Sequence, residues 1–318
     1  MITVVRAGPL TTVQDLGRPG YAHLGVPRSG ALDPAAARFA NALIGNDVDA
    51  AVLETTLMGC ALRFAARTFV AVAGAVAEVR VNGSVLPAVS NVLASAHAPA
   101  GPYVPAGVIA DVPAGGVLDV GRALAGVRSY VAVLDGIDVP PVLGSRSTDT
   151  LSGLGPAPLR NGMTLPIGVV RMDKQSSAYA YAPGGVVLIG EQSSAYSYAP
   201  PQPRGEVLEL DVLPGPRDDW VADRQVLFGD SYKISPVSNR IGARLAGPAL
   251  TRAKPGELPP EGIVLGAIQV PPDGQPLIFL ADHPTTGGYP VIAVVDPAGF
   301  SNCAQAAPGT PVRFRRTG

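Results

Sequence analysis

Residues 257–290 read ELPPEGIVLGAIQVPPDGQPLIFLADHPTTGGYP. Two apolar runs, IVLGAIQV and QPLIFLA, flank Pro271-Pro272-Asp273-Gly274, a tight-turn signal that predicts two strands joined by a hairpin. The second run ends in a dense polar patch of Asp282, His283, Thr285, Thr286, Gly287, Gly288 and Tyr289. A core strand needs none of these groups at its end. Two glycines let the backbone approach a ligand closely. Successive N–H groups over residues 285–288, with threonine hydroxyls beside them, predict an anion-binding nest.

The same pattern occurs earlier in the chain. Glu54-Thr-Thr-Leu-Met-Gly59 opens an apolar run ending at Ala73-Gly74, as Glu261-Gly-Ile-Val-Leu-Gly266 opens one ending at Ala281-Asp282. Upstream, Val26-Pro27-Arg28-Ser29 matches Ser235-Pro236-Val237-Ser238, and each is followed by an Ala-rich segment bearing Arg38 or Arg244. The preserved order reads as an old duplication that made two similar half-chain units, with a chance match among the abundant Ala, Gly and Val residues as the alternative.

Composition agrees. The 318 residues suffice for about two domains with real cores. The chain is 47% hydrophobic and 15% charged, with 38 Gly and 33 Pro, which favours many short strands joined by turns over long helices. Gly or Pro interrupts every apolar run before about 18 residues, so no transmembrane span is expected. The start MITVVRAGPL reads as a strand and lacks a signal-peptide layout, so a cytoplasmic location is expected. A net charge of −1 gives no electrostatic reason to expect nucleic acid or an anionic membrane. With only Cys60 and Cys303, neither a disulfide framework nor a four-Cys metal site is available, and no metal ligands are assigned. Cys60, between Leu57, Met58 and Leu62, reads as a core thiol.

The first helix is predicted after Asp33, with Pro34 at its first position, Phe39 and Leu43 on its buried face and Gly45 past its end. Residues 51–93 and 107–135 are β-rich, and VPAGGVLDVGRA and VRSYVAVLDGI read as two paired strands. Asn161-Gly162 predicts a turn into a strand, and PVRFRR at 311–316 a closing strand. A local repeat, QSSAYAYAP and QSSAYSYAP, marks a Tyr-rich connection within residues 175–200. The expected division is a first domain over 1–165, a linker or Tyr-rich insertion over 166–205, and a second domain over 206–318.

P-loop, dinucleotide-fold, HExxH, paired CxxC and GxSxG signatures are absent. No lysine sits in the Met-Lys-Met context that carries biotin, so no biotin attachment is expected in this chain. His97 reads as a loop residue, whereas His283 lies inside the polar patch. Arg18, Arg146, Arg240 and Arg244 fall in Gly/Ser/Asn-rich segments, where an arginine can hold a carboxylate or phosphate through two parallel bonds. A solvated surface arginine is the alternative at each. Function is favoured for Ser238-Asn239-Arg240, where three polar side chains converge. Glu54 and Glu261, at the edges of apolar runs, read either as paired structural carboxylates or as acid/base groups.

The strings GPLTTVQDLGRPGYAHLGVPRSGALDPAAARFANALIGN, GSRSTDT, LPGPRDDW, SPVSNRIGARL and ELPPEGIVLGAIQVPPDGQP…ADHPTTGGYP occur in this order. Over residues 3–316 the chain resembles the family of the 5-oxoprolinase C-type subunit, also labelled allophanate hydrolase subunit 2, kinase-inhibitor antagonist, or carboxyltransferase subdomain A and B. The resemblance implies an all-β chain with a few short helices, built as two cyclophilin-like β-barrel domains. It implies a hetero-complex with a B-type cyclophilin-like subunit, a separate A-type subunit for the full reaction, and a small-molecule amide substrate. The implied reaction is ATP-dependent opening of 5-oxoproline to glutamate, with ATP and Mg held at the level of the complex. Parts of urea degradation, or antagonism of a kinase inhibitor without catalysis, are the alternatives that the family's labels leave open. Glu261 and Asp282 are the expected catalytic carboxylates, while Arg18, Ser238, Asn239, Arg240, Gln269, Thr285, Thr286, Gly287, Gly288 and Tyr289 are the expected substrate- or nucleotide-binding residues. Gln14, Asp15, Ser29, Asp33 and Arg146 also match polar positions of the family. Two departures stand out: His283-Pro284 where the family often has Arg-Gln, and Val291 where it commonly has a basic residue.

Overall fold

The computed structural model describes residues 1–87, 107–168, 180–181, 187–188, 198, 201, 205–229, 232–256 and 258–317. His97 and most of the Tyr-rich repeat lie outside the described residues. The chain divides into two compact units, and neither is one continuous stretch. The first comprises residues 1–16, 34–148 and 155–201, and the second residues 17–33, 149–154 and 202–318.

In the first unit, β1 (Ile2–Arg6) and β2 (Thr11–Gln14) precede helix α1 (Pro34–Leu43). The helix starts at Pro34 as expected, buries Phe39 and Leu43, and ends at Gly45 in the left-handed conformation. The strands β3 (Val52–Thr56), β4 (Ala61–Phe64), β5 (Thr68–Val81), β6 (Ser84–Val85), β7 (Gly107–Val112), β8 (Val117–Val133) and β9 (Thr164–Leu165) complete a curled nine-stranded sheet. Its core gathers Val4, Leu53, Leu62, Phe64, Val72, Leu118 and Val131. Cys60 lies in this core, and burial pushes its thiol up to about 12. The turn at Asn161-Gly162 forms as read, with Gly162 at positive φ ahead of β9. Farther along, β10 (Ala180–Tyr181) pairs with β11 (Val187–Leu188), and the Tyr198 ring stacks on Phe39 at 6.0 Å.

The pair of strands expected within residues 112–137 is in fact one strand. Strand β8 runs unbroken for 17 residues and pairs along β5, with irregularities in register between Gly74 and Val79. The glycines between the two apolar runs lack a two-residue turn signal, and Gly126 takes positive φ inside the strand instead of reversing it.

The second unit is a closed seven-stranded barrel. Its strands are β12 (Leu208–Pro214), β13 (Tyr232–Ile234), β14 (Gly242–Ala246), β16 (Ala267–Gln269), β17 (Leu277–Phe279), β19 (Val291–Val295) and β20 (Pro311–Arg316). Outside the barrel, β15 (Glu261–Gly262) pairs with β18 (Thr286–Gly287), and helix α2 (Phe300–Gln305) precedes the last strand. The predicted hairpin is β16–β17, where Gly274 has positive φ and donates to Pro271 O at 3.0 Å. The closing strand is where the sequence places it, since β20 lies parallel to β12 and antiparallel to β13. Leu32 joins Leu210, Val212, Ile268, Ile278 and Phe314 in the barrel core, so a residue from the early part of the chain packs with the second unit.

The two Glu-x4-Gly motifs share a backbone feature. Gly59 and Gly266, which close them, both have positive φ. A Cβ on Gly59 would lie 2.0 Å from Val120 O and 2.6 Å from Gly121 O. Gly59→Ala therefore combines left-handed strain with a backbone clash, and is expected to destabilise the chain by about 3 kcal/mol. Denaturant midpoints measure this, and an unchanged midpoint would show that the β3–β4 connection yields freely.

Candidate functional site

The polar groups of the second unit form two clusters. The first is buried. Arg240 is 1% and Asp282 0% exposed. Arg240 Nε donates to Asp282 Oδ2 at 2.9 Å, and Nη2 donates to Asp282 Oδ1 at 3.0 Å and to Gly30 O at 2.6 Å. The Ser29 hydroxyl donates to Oδ1 at 2.7 Å, while the Thr150 N–H and hydroxyl donate to Oδ2 at 3.0 and 2.6 Å. Burial pushes the Asp282 carboxyl up, but the Arg240 charge and the bonds from Arg240, Thr150 and Ser29 outweigh it and hold it below the usual value. Ser29 has a φ of 56°, which aims its N–H at Ala281 O at 3.1 Å. Arg18 is buried in the same unit, and Arg18 N donates to Arg28 O at 2.7 Å. Gly17 permits this approach, since a Cβ there would lie 2.5 Å from that carbonyl.

These contacts change the reading of Arg240. It was expected to meet a ligand anion from an exposed loop, but its guanidinium faces a carboxylate of its own unit in the dry interior. An arginine is desolvated at tolerable cost only when a partner accepts its N–H groups, and Asp282 is that partner. Ser238 and Asn239 are likewise engaged locally. Ser238 Oγ accepts from Arg244 N at 3.1 Å, and Asn239 Oδ1 accepts from the N–H groups of Ile241 and Gly242 at 2.9 and 3.2 Å, shaping the turn between β13 and β14. The three side chains do not converge on one cleft, because turn residues with short polar side chains satisfy nearby backbone first.

The second cluster is open to solvent and centres on the β15–β18 ribbon. Glu261 pairs in register with Gly287, and Gly262 with Thr286. Arg217, 44 residues upstream, grips Glu261 through Nε at 3.1 and 3.2 Å and through a close Nη2–Oε1 contact. The two side chains are 37% and 32% exposed. The hydrogen bonds and charge of Arg217 hold the Glu261 carboxyl below its ordinary value, so it is an acceptor or base near neutrality and not an acid. Buried Gln269 donates from Nε2 to Tyr289 O at 2.8 Å. Arg252 lies over the Tyr289 ring at 5.5 Å, and Lys254 lies 5.8 Å from the Trp220 ring while pairing with Asp219.

Residues 285–288 do not form a nest. Neither Gly287 nor Gly288 has positive φ, which an alternating nest requires, and Thr286–Gly287 is a strand. Thr285 O accepts from Ile263 N at 2.9 Å and Gly288 O from Leu258 N at 3.1 Å, so this backbone completes a ribbon. Gly287 is needed for packing, because a Cβ would lie 2.6 Å from Ile263 Cδ1 and 3.0 Å from Gln269 Nε2. His283 is buried against Phe279, and its Nδ1 donates to Pro284 O at 2.7 Å. Burial pushes its pKa down against the opposing effects of that bond and of Asp282, which keeps the ring neutral near pH 7.

In the first unit, Asp15 is held by residues 145–147. Ser145 Oγ and Ser147 Oγ donate to its Oδ1 at 2.5 and 2.6 Å, and Arg146 N donates to Oδ2 at 2.6 Å. Arg146 itself turns to Val139 O and Asp138. Among the described residues no group of three or more His, Cys, Asp or Glu side chains is placed to hold a metal ion.

The family model of the carboxyltransferase domain, subdomain A and B, matches residues 24–316. The chain belongs to this family. It is 36% identical to the C-type subunit of 5-oxoprolinase from Escherichia coli, over 99% of this chain and 90% of that protein. It is 31% identical to the urea amidolyase of Lachancea kluyveri, over 98% of this chain but only 16% of that much longer protein. Among solved structures, K. lactis urea amidolyase superposes with a TM-score of 0.80 at 29% identity, covering 100% of this chain and 19% of that one. These family relations agree with the expected all-β architecture. Sequence reasoning missed Arg217 and Thr150 as partners of Glu261 and Asp282, although both lie in quoted motifs, LPGPRDDW and GSRSTDT.

Asp282→Asn or Arg240→Ala leaves one buried charge without its counter-charge, and each is expected to cost roughly 3–5 kcal/mol of stability. The lowered folded pKa of Asp282 makes its contribution fully present above the ordinary aspartate value and lost as pH falls through the folded value. Melts from neutral to acid pH should show a wild-type acid limb that Asp282→Asn flattens. Wild-type-like melting of Arg240→Ala would overturn the structural role of this pair.

Proposed function

We propose that this chain is the C-type subunit of a hetero-oligomeric, ATP-dependent hydrolase that opens the lactam of 5-oxoproline to glutamate. The observation that carries the reading is the 36% identity to the E. coli 5-oxoprolinase component along nearly the whole of both chains.

The open cluster suits an amide. In the net reaction water adds to the ring carbonyl, the C–N bond breaks, and the nitrogen leaves as the amine of glutamate after taking a proton. A lactam presents an N–H donor, a carbonyl acceptor and, in 5-oxoproline, a carboxylate. Glu261 offers an ionised acceptor for the N–H, and Arg217 offers donors for a carboxylate or a developing oxyanion. Held below its ordinary value, the Glu261 carboxylate is a weak base, so its part is to accept a hydrogen bond from the attacking water and orient it. Asp282, surrounded by donors in the interior, is a positioning residue.

The described residues of this chain do not by themselves fit a nucleotide. The backbone at 285–288 is laddered, Lys254 is paired with Asp219, and Arg252 donates to backbone carbonyls. In this proposal ATP and Mg bind at the level of the assembled complex.

A carboxyltransferase role in urea degradation is the second reading, favoured by the full-length likeness of this chain to a segment of urea amidolyase. Co-expression with a B-type subunit should give one hetero-complex peak in size-exclusion chromatography. Adding an A-type subunit should give ATP hydrolysis stimulated by 5-oxoproline and not by urea or allophanate. Stimulation by urea with a biotinylated carrier would overturn the first reading in favour of the second. Within the active complex, Glu261→Gln should lower turnover at least tenfold with an unchanged melt, because the side chain is partly exposed and outside the core. Full turnover in that variant would remove Glu261 from the chemistry.

A further inference from the structure

A cavity of about 500 Å³ opens in the second unit, between strands β12, β19 and β20 and the short turns at Asp218–Trp220 and Arg224–Phe228. Its size is that of small-molecule sites, roughly 300–1,000 Å³. It is separate from the Glu261 cluster in its lining. Partly exposed Phe228 and the edges of Leu227 and Ile292 supply its apolar wall, with Val212, Val221 and Phe314 of the barrel core behind them.

The charged lining residues are Asp218, Arg224 and Arg316. Arg224 Nη1 donates to Asp218 Oδ2 at 2.7 Å. The Arg316 side chain has no hydrogen bond or ion pair among the described residues, unlike its neighbours on the same strand. Arg313 meets Glu209 at 3.5 Å, and Arg315 meets Glu209 and Asp211 at 2.8 and 2.9 Å. The alternation of a strand explains the difference. Arg313 and Arg315 share the face that meets the acids of β12, whereas Arg316 shares the face of Phe314, a core residue that lines the cavity. The cavity thus has an apolar wall and a rim of two arginines against one aspartate, an excess of one positive charge.

We infer that this cavity binds a small monocarboxylate with an apolar body, its carboxylate held by the Arg316 guanidinium and its body against Phe228, Ile292 and Leu227. The single excess charge matches one carboxylate and not a dianionic phosphate, and a planar guanidinium holds a carboxylate through two parallel bonds.

Octanoate is the probe, with acetate, octan-1-ol and octyl phosphate as controls, each titrated calorimetrically into the full chain. Octanoate should bind at one site, with acetate and octan-1-ol at least tenfold weaker. Arg316→Gln should weaken octanoate about tenfold. Gln225→Trp, at an exposed rim position, should block binding, and both variants should melt as the wild type does. Absence of octanoate binding, or binding that neither variant alters, would overturn the inference. Tighter binding of octyl phosphate than of octanoate would overturn the monocarboxylate assignment. If octanoate fails to bind but Gln225→Trp changes self-association in size-exclusion chromatography, the cavity is a protein contact and the inference falls.

Discussion

The second unit depends on one buried carboxylate. Asp282 receives bonds from side chains or backbone of residues 29, 150 and 240, which lie in three separate stretches of the chain. Arg240 adds a bond to Gly30 O from the same guanidinium. Apolar packing is non-directional and tolerates sliding, so it does not by itself fix where a returning loop must lie. A buried charge is different, because every donor it loses leaves an unpaired group in a dry interior. The Asp282 node therefore fixes the placement of residues 29–30 and 150 within the second unit more sharply than hydrophobic contact does. The net contribution of such a node to stability is small, since desolvation of both ions offsets their attraction. What it supplies is a unique arrangement that fails when one partner is removed.

That arrangement also sets the geometry of the open cluster. Asp282 precedes the β18 residues Thr286–Gly287 by only a few positions, and Asp282 N donates to Arg240 O at 3.1 Å. One end of the 282–289 segment is thereby fixed in the core, and the other is held where Gln269 donates to Tyr289 O. Between these anchors the backbone extends and pairs with β15, which carries Glu261. Arg217 then closes on Glu261 from a loop whose Gly215 N–H donates to Ile292 O at 2.8 Å. A carboxylate and a guanidinium held in this way face solvent in a fixed mutual geometry.

The sequence made the local, directional features legible. Pro271–Gly274 carried its own turn chemistry, Pro34 and Gly45 bounded a helix, and the β20 strand was a short apolar-alternating run after Gly309. Features decided by contacts between distant residues were not legible. An arginine in Ser-Asn-Arg reads the same whether its partner is a ligand or an aspartate 42 residues on. Thr-Thr-Gly-Gly reads as a nest or as a strand, and the choice is made by residues 258 and 263, whose N–H groups ask for carbonyls of this stretch. For the same reason two apolar runs joined by glycines read as two strands, while β5 offered a partner long enough to keep them as one. The polar segment at 282–289 was legible as a segment, but the partners of Asp282 within it and of Glu261 beside it are Ser29, Thr150 and Arg217, none of which lies near them in sequence.

The two Glu-x4-Gly motifs show how similar local sequences came to different ends. Each motif closes on a glycine with positive φ, and each glutamate sits beside an arginine. In the first unit Glu54 is 1% exposed, with Arg128 Nε at 3.6 Å and the Tyr130 hydroxyl donating to Oε2 at 3.0 Å. Gly74 allows this packing, since a Cβ there would lie 2.4 Å from Arg128 O and 3.0 Å from the Tyr130 ring. In the second unit Glu261 stands off the barrel on a two-residue ribbon, in contact with solvent and gripped by Arg217. A buried carboxylate with a tyrosine and an arginine on it cannot meet a substrate without opening the core. An exposed one can exchange its arginine bond for a bond to substrate at small cost, because water already screens the pair. The difference in burial, more than any difference in the motif itself, leaves Glu54 to hold its sheet together and keeps Glu261 at the solvent edge of its unit.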